Sequence, residues 1–131
     1  MVRTIKIASE IKGIFEIENF LTLILKDFKI SRKIYCKMYL AITEAVNNAI
    51  IHGNKLDSKK QVTIKFTELR SSYKCIIIDN GKGFNSDKLP DPLNMNNLRK
   101  ESGRGIFIMK QYADRVVFED NGASVILIFN K

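Results

Sequence analysis

Glu44-Ala45-Val46-Asn47-Asn48-Ala49-Ile50-Ile51-His52-Gly53-Asn54 is an apolar stretch interrupted at regular intervals by polar side chains. Glu44, Asn48 and His52 are spaced i, i+4, i+8, which in a helix places them on one face. Upstream, Ile34, Met38, Ala41 or Ile42, Ala45 and Ala49 form the complementary apolar stripe. The spacing predicts a helix from about Arg32 to His52. Ser31 would cap its start, and Gly53-Asn54 would end it, because these residues tolerate a left-handed backbone.

Before this helix, Ile11, Ile14, Phe15, Phe20, Leu21, Ile24, Leu25 and Phe28 keep close to a second helical stripe. Ser9 is the expected cap, with the helix beginning at Glu10 and weakened slightly by Gly13. Val2, Ile5 and Ile7 alternate roughly with polar residues and predict a first strand. After Asn54 the period changes to two. Val62, Ile64 and Phe66 alternate with Thr63, Lys65 and Thr67, and Cys75-Ile76-Ile77-Ile78 marks a buried strand within Tyr73 to Asp79. From Asn80 to about Ser102 the chain is loop-like, rich in Asn and containing both prolines, Pro90 and Pro92. A connection this long within a compact domain usually serves a function, often as a lid. A third helix is expected from about Gly103 to Ala113. Arg115 to Glu119 and Ser124 to Phe129 then form strands joined at Asp120-Asn121-Gly122, a hairpin signal. The order predicts one α+β domain over residues 1–131: a two-layer α/β sandwich, with a mixed, mostly antiparallel sheet and helices on one face.

Three segments carry candidate chemistry. In the first, Asn48 offers a hard oxygen to a magnesium ion that takes its remaining ligands from phosphates and water. Glu44, one turn earlier, is placed to take a proton from a hydroxyl or water. The same spacing also describes the solvent face of an amphipathic helix. In the second, Asp79-Asn80-Gly81-Lys82-Gly83-Phe84 follows a buried strand. A carboxylate there can accept from an exocyclic amine such as that of adenine, and the glycines permit close approach; a plain turn has the same composition. In the third, Ser102-Gly103-Arg104-Gly105-Ile106 opens a helix, where backbone N–H groups bind phosphate and Arg104 could add charged hydrogen bonds. It is neither a Walker A loop nor a dinucleotide fingerprint, because no Gly-Lys-Ser/Thr follows and no strand immediately precedes it.

Composition narrows the class. The 131 residues are 45% hydrophobic and 27% charged, as in ordinary globular domains. No apolar run reaches the roughly 18 residues that would span a bilayer, and the start lacks a signal-peptide core, so a cytoplasmic protein is expected, without membrane contact. Cys36 and Cys75 are far apart and read as two reduced, buried thiols. The net charge of +8 would suit a polyanion. The basic residues are spread along the chain without interleaved aromatics, however, so direct nucleic-acid binding ranks last. Phosphates and acidic proteins account for the charge as well.

An E-x-x-x-N helix, D-x-G-x-G-F after a strand, a lid, and G-x-G opening a helix resemble, in that order, the N, G1 and G2 boxes of the GHKL ATPases. Within them the chain is similar to bacterial anti-sigma factor serine/threonine kinases. The likeness lies in Glu44 to Ala49 with His52-Gly53, Asp79 to Phe84, Pro90-Asp91-Pro92, and Gly103 to Met109 with Ala113-Asp114. The resemblance implies Mg-ATP as ligand, Glu44 as catalytic base, and Asn48 as metal ligand. It also implies Asp79 as reader of the adenine amine, and Ser102, Gly103, Arg104 and Gly105 around the phosphates. His52, Phe84 and Ile106 fall within the same boxes and are counted with the nucleotide site. Gly81 and Gly83 would let base and lid pack closely. Such kinases bind a sigma factor, release it to an unphosphorylated antagonist, and phosphorylate that antagonist on Ser or Thr; homodimers are common among them. The alternative is an ATP-gated binding module without kinase activity. A histidine-kinase catalytic half is disfavoured, since the one histidine, His52, lies inside the first motif.

Overall fold

The computed structural model describes residues 1–80 and 101–131. Its elements are β1 (Val2–Ala8), α1 (Ile11–Asp27), α2 (Arg32–Asn48), a π turn (Ala49–Gly53), β2 (Gln61–Glu68), β3 (Ser72–Ile78), α3 (Glu101–Tyr112), β4 (Arg115–Glu119) and β5 (Ser124–Asn130). The strands form one sheet in the order β1-β2-β3-β5-β4. Every pairing is antiparallel, where a mixed sheet was expected. Strands β3 and β4 do run in the same direction, but β5 lies between them, so no parallel ladder forms. Residues 81–100, which hold most of the expected lid, lie outside the described residues.

Alternation along the strands puts one face of the sheet into the core. Ile5 pairs with Ile64, Ile64 with Ile77, Ile77 with Val125, and Val125 with Phe118. One row away, Phe66, Cys75, Leu127 and Val116 line up in the same way. Against this face pack Ile17, Leu21 and Ile24 of α1, Met38, Ile42 and Ala45 of α2, and Met109 of α3, all buried. Burying each of the larger side chains contributes about 1.5–3 kcal/mol.

Ser31 caps α2 as expected, its hydroxyl accepting from Ile34 N–H at 3.4 Å. Tyr39 on α2 donates to Glu18 on α1 at 2.8 Å and ties the two helices together. Two local expectations fail. The residue preceding α1 is Glu10, which makes no side-chain cap bond, while Ser9 is fully buried and bonded elsewhere. Gly53-Asn54 does not supply the left-handed stop either; Lys55 and Leu56 do, at φ 53° and 57°. Gly13 has a packing reason. A Cβ there would stand 2.6 Å from the Ala8 carbonyl, so only glycine lets α1 start this close to β1. The β4–β5 hairpin forms through a single 3₁₀ turn, with Asp120 and Gly122 at positive φ.

Candidate functional site

The site sits where α2 ends. Glu44 and Asn48 lie one turn apart in its last two turns, both half-buried. Regular α-helix stops at Asn48, and the next five residues widen into a π turn whose Asn54 N–H reaches back to Ala49 O at 2.8 Å. Such widened turns recur at functional positions. The 3.6-residue spacing that would align His52 with Glu44 and Asn48 therefore ends before it, and His52 is exposed.

Helix α3 brings its second turn against this end of α2. A Cβ on Gly105 would lie 2.8 Å from Asn48 Nδ2, 3.1 Å from Asn48 Oδ1 and 3.2 Å from Glu44 Oε2. Glycine is thus the residue that allows the α3 backbone to rest on the Asn48 amide and the Glu44 carboxylate. The backbones of Ser102 and Gly103 lie in the first turn of α3, Arg104 is exposed, and Ile106 turns inward to the core. Expected contacts at Gly81, Gly83 and Phe84 lie outside the described residues.

Asp79 follows β3 directly, and its N–H donates to Ala123 O at 2.9 Å. Its carboxylate fills the space where a Cβ on Gly53 would stand, with Oδ1 at 2.8 Å from that point. The two glycines Gly53 and Gly105 each make room for a polar side chain of the candidate set, so Glu44, Asn48 and Gly105 form one group and Gly53 with Asp79 a second.

Asn54 and Ser9 meet at this end of the sheet. Asn54 is fully buried. Its Nδ2 donates to Ser9 Oγ at 2.6 Å and to Gln61 O at 3.0 Å, and its Oδ1 accepts from Asn80 N–H at 2.7 Å. Sequence offered only a helix stop and a helix cap for Asn54 and Ser9, because their bonds join residues 45 positions apart. Asn47 carries a buried Oδ1 without a hydrogen-bond partner among the described residues.

An ATP molecule with its magnesium ion fits these donors. Glu44 and Asn48 present hard oxygens, and Gly105 carries no side-chain carbon that would press on them. Among the described residues no group of three His, Cys, Asp or Glu side chains comes together, so the cation would draw on phosphate oxygens and water besides a protein oxygen.

Comparison with known proteins bears on the same region. Residues 8–129 match the family model described as the histidine kinase-like ATPase domain. Two anti-sigma F factors of Clostridium perfringens, one of them from strain 13, are 33% identical over 92 residues, which covers 66% of this chain. The match spans just under two thirds, 66%, of their own length. The anti-sigma F factor of strain SM101 is 32% identical over 94 residues, covering 70% of this chain and 67% of that protein. Among solved structures, the crystal structure of the RsbU and RsbW domains of Rv1364c from Mycobacterium tuberculosis aligns with a TM-score of 0.71. That alignment covers 99% of this chain and 32% of the other at 14% identity, a likeness of fold.

Proposed function

The chain belongs to the histidine kinase-like ATPase domain family, and from that premise we propose that it is an ATP-dependent protein serine/threonine kinase of the anti-sigma factor type. The observation that supports this reading is the approach of Gly105 to Glu44 and Asn48, which brings the residues read as base and metal ligand against the second turn of α3. In this reading Asn48 Oδ1 would hold magnesium, and Asp79 would accept from the adenine amine. The first turn of α3 faces the phosphates with its N–H groups, and Arg104 supplies a guanidinium beside them. When bound, the magnesium ion offsets phosphate charge.

Glu44 takes the proton of a Ser or Thr hydroxyl as that oxygen bonds to the γ-phosphorus. The bond from the γ-phosphorus to the bridging oxygen breaks, and ADP leaves with the electron pair. The acceptor hydroxyl would belong to an antagonist protein. The regulator held in the meantime would be a sigma factor or a protein of similar role, which makes the output transcriptional. Likeness to anti-sigma F factors supports both assignments. No described helix is long and apolar enough to cross a membrane.

The test has two arms. Thermal melting is followed with and without Mg-ATP; a hundredfold excess over Kd should add about 2.7 kcal/mol. Transfer of labelled γ-phosphate is then measured to a protein captured from the host by the ATP-free and ATP-bound forms. No melting shift at millimolar nucleotide would overturn the ATP reading. A shift without transfer to any captured protein would replace the kinase by an ATP-gated binding module.

A further inference from the structure

The hydrogen bonds of Asn54 reach beyond holding strands together. A primary amide has two N–H donors and one carbonyl oxygen. Here both donors are spent on the β1–β2 end of the sheet, on Ser9 Oγ and Gln61 O, and the oxygen is spent on Asn80 N–H. The donors leave only one way round for the amide, so it is the oxygen that faces Asn80.

Asn80 N–H belongs to the peptide group that follows Asp79. The peptide group that precedes Asp79 is held too, by the bond from Asp79 N–H to Ala123 O. A residue has two soft backbone dihedrals, and planar peptides lie on either side of them. Fixing both planes fixes the direction of the Asp79 Cα–Cβ bond. The residue directly before Asn54 is Gly53, whose missing Cβ is the space the Asp79 carboxylate occupies. The adjacent residues Gly53 and Asn54 thus set the side-chain space of Asp79 and one of its two flanking peptides.

We propose that Asn54 is a positioning residue for base selection: it aims the Asp79 carboxylate at the purine amino group without touching the nucleotide. The inference rests on the reading of Asp79 as the acceptor for the adenine amine. It assigns selectivity, rather than overall affinity, to the Asn54 oxygen. A guanine base presents a carbonyl oxygen at the corresponding ring position, and a well-aimed carboxylate repels it; an unaimed one swings away and discriminates less.

The experiment compares ATP and GTP affinity in the full chain for the parent and for the Asn54→Ala, Ser9→Ala and Asp79→Asn variants, with melting temperatures alongside. Ser9→Ala removes a partner of Asn54 on the structural side and leaves the bond to Asn80. Both Asn54→Ala and Ser9→Ala should melt lower than the parent. Of these two, Asn54→Ala alone should lose selectivity, by about tenfold in the ATP-to-GTP ratio, the worth of one well-made hydrogen bond. Should Asn54→Ala not fold, Asn54→Ser, which keeps a buried hydroxyl but does not reach Asn80, should show the same loss. An unchanged ratio in the Asn54 variant that folds, with a lowered melt, makes Asn54 a structural residue only and overturns the proposal. An unchanged ratio in Asp79→Asn overturns the underlying reading of Asp79 and the proposal with it.

Discussion

Replacing Gly105 with alanine adds one methyl group where α3 rests on α2. The added carbon would stand 2.8 Å from Asn48 Nδ2 and 3.2 Å from Glu44 Oε2. An ordinary contact begins near ~3.5 Å, so the Asn48 amide must retreat by about 0.7 Å. Two energies then compete. Alanine in a helix interior is better than glycine by about 0.5–1 kcal/mol. Overpacking costs about 1–3 kcal/mol in a tight core, and less here, because the atoms that must move are the ends of side chains. The net change in stability should stay within about 1 kcal/mol, or roughly 4 °C in melting temperature. Function should change far more. The displaced atoms are the proposed metal ligand and base, and a misplacement near 1 Å can cost about 10²-fold in rate. The assay pairs a thermal melt with Mg-ADP titration and γ-phosphate transfer. Parental affinity and parental transfer in Gly105→Ala would refute the placement of the nucleotide beside this contact.

Gly13→Ala should behave in the opposite way, because its methyl meets the rigid Ala8 carbonyl; it should destabilise by about 1–3 kcal/mol in urea titration with nucleotide affinity kept. Glu44→Gln should retain Mg-ATP binding and lose about 10²–10⁴-fold in transfer, whereas Asn48→Ala should lose binding as well, separable by titration and kinetics. Asp79→Asn should lower the ATP-to-GTP affinity ratio, since an amide can turn its NH₂ toward the purine amine. Cys75 is buried as expected but Cys36, also expected to be buried, is exposed, so a thiol reagent should modify one cysteine in the native protein and two after unfolding. Burial also raises the Cys75 pKa above its ordinary value of 9.0. Its thiol is therefore favoured in the folded state, and this contribution is full below that value and is lost as pH rises past it. Urea midpoints from about pH 8 to about pH 11 should decline more steeply for the parent than for Cys75→Ala.

Elements with one strong period were legible in the sequence. The Val62, Ile64, Phe66 alternation and the Met38, Ile42, Ala45 stripe specify their own buried faces, and the structure buries those residues. Strand direction was less legible, because alternation says which face is apolar and nothing about which neighbour is adjacent. The insertion of β5 between β3 and β4 is a property of the whole chain. At the site, the types Glu, Asn, Asp and Gly drew attention through their spacing. The π turn left no such mark, since Ala49-Ile50-Ile51-His52 also continues an α-helical pattern. Ser9 and Asn54 are ordinary cap and stop residues by local rules, and only long-range bonding makes them a buried pair.

Strand β5 is last along the chain, yet it pairs with both β3 and β4. During synthesis the sheet therefore stays incomplete until residues 124–130 have left the ribosome: β1, β2 and β3 can pair, while β4 waits for β5. The carbonyl that receives Asp79 N–H belongs to Ala123, at the entry to that same late strand. A nascent chain halted after α3 would hold Glu44 and Asn48 on a formed helix without a settled Asp79. On the reading of Asp79 as the adenine acceptor, nucleotide capture would in this way wait until β5 has been made, and a nascent chain short of it would be poorly equipped to hold ATP.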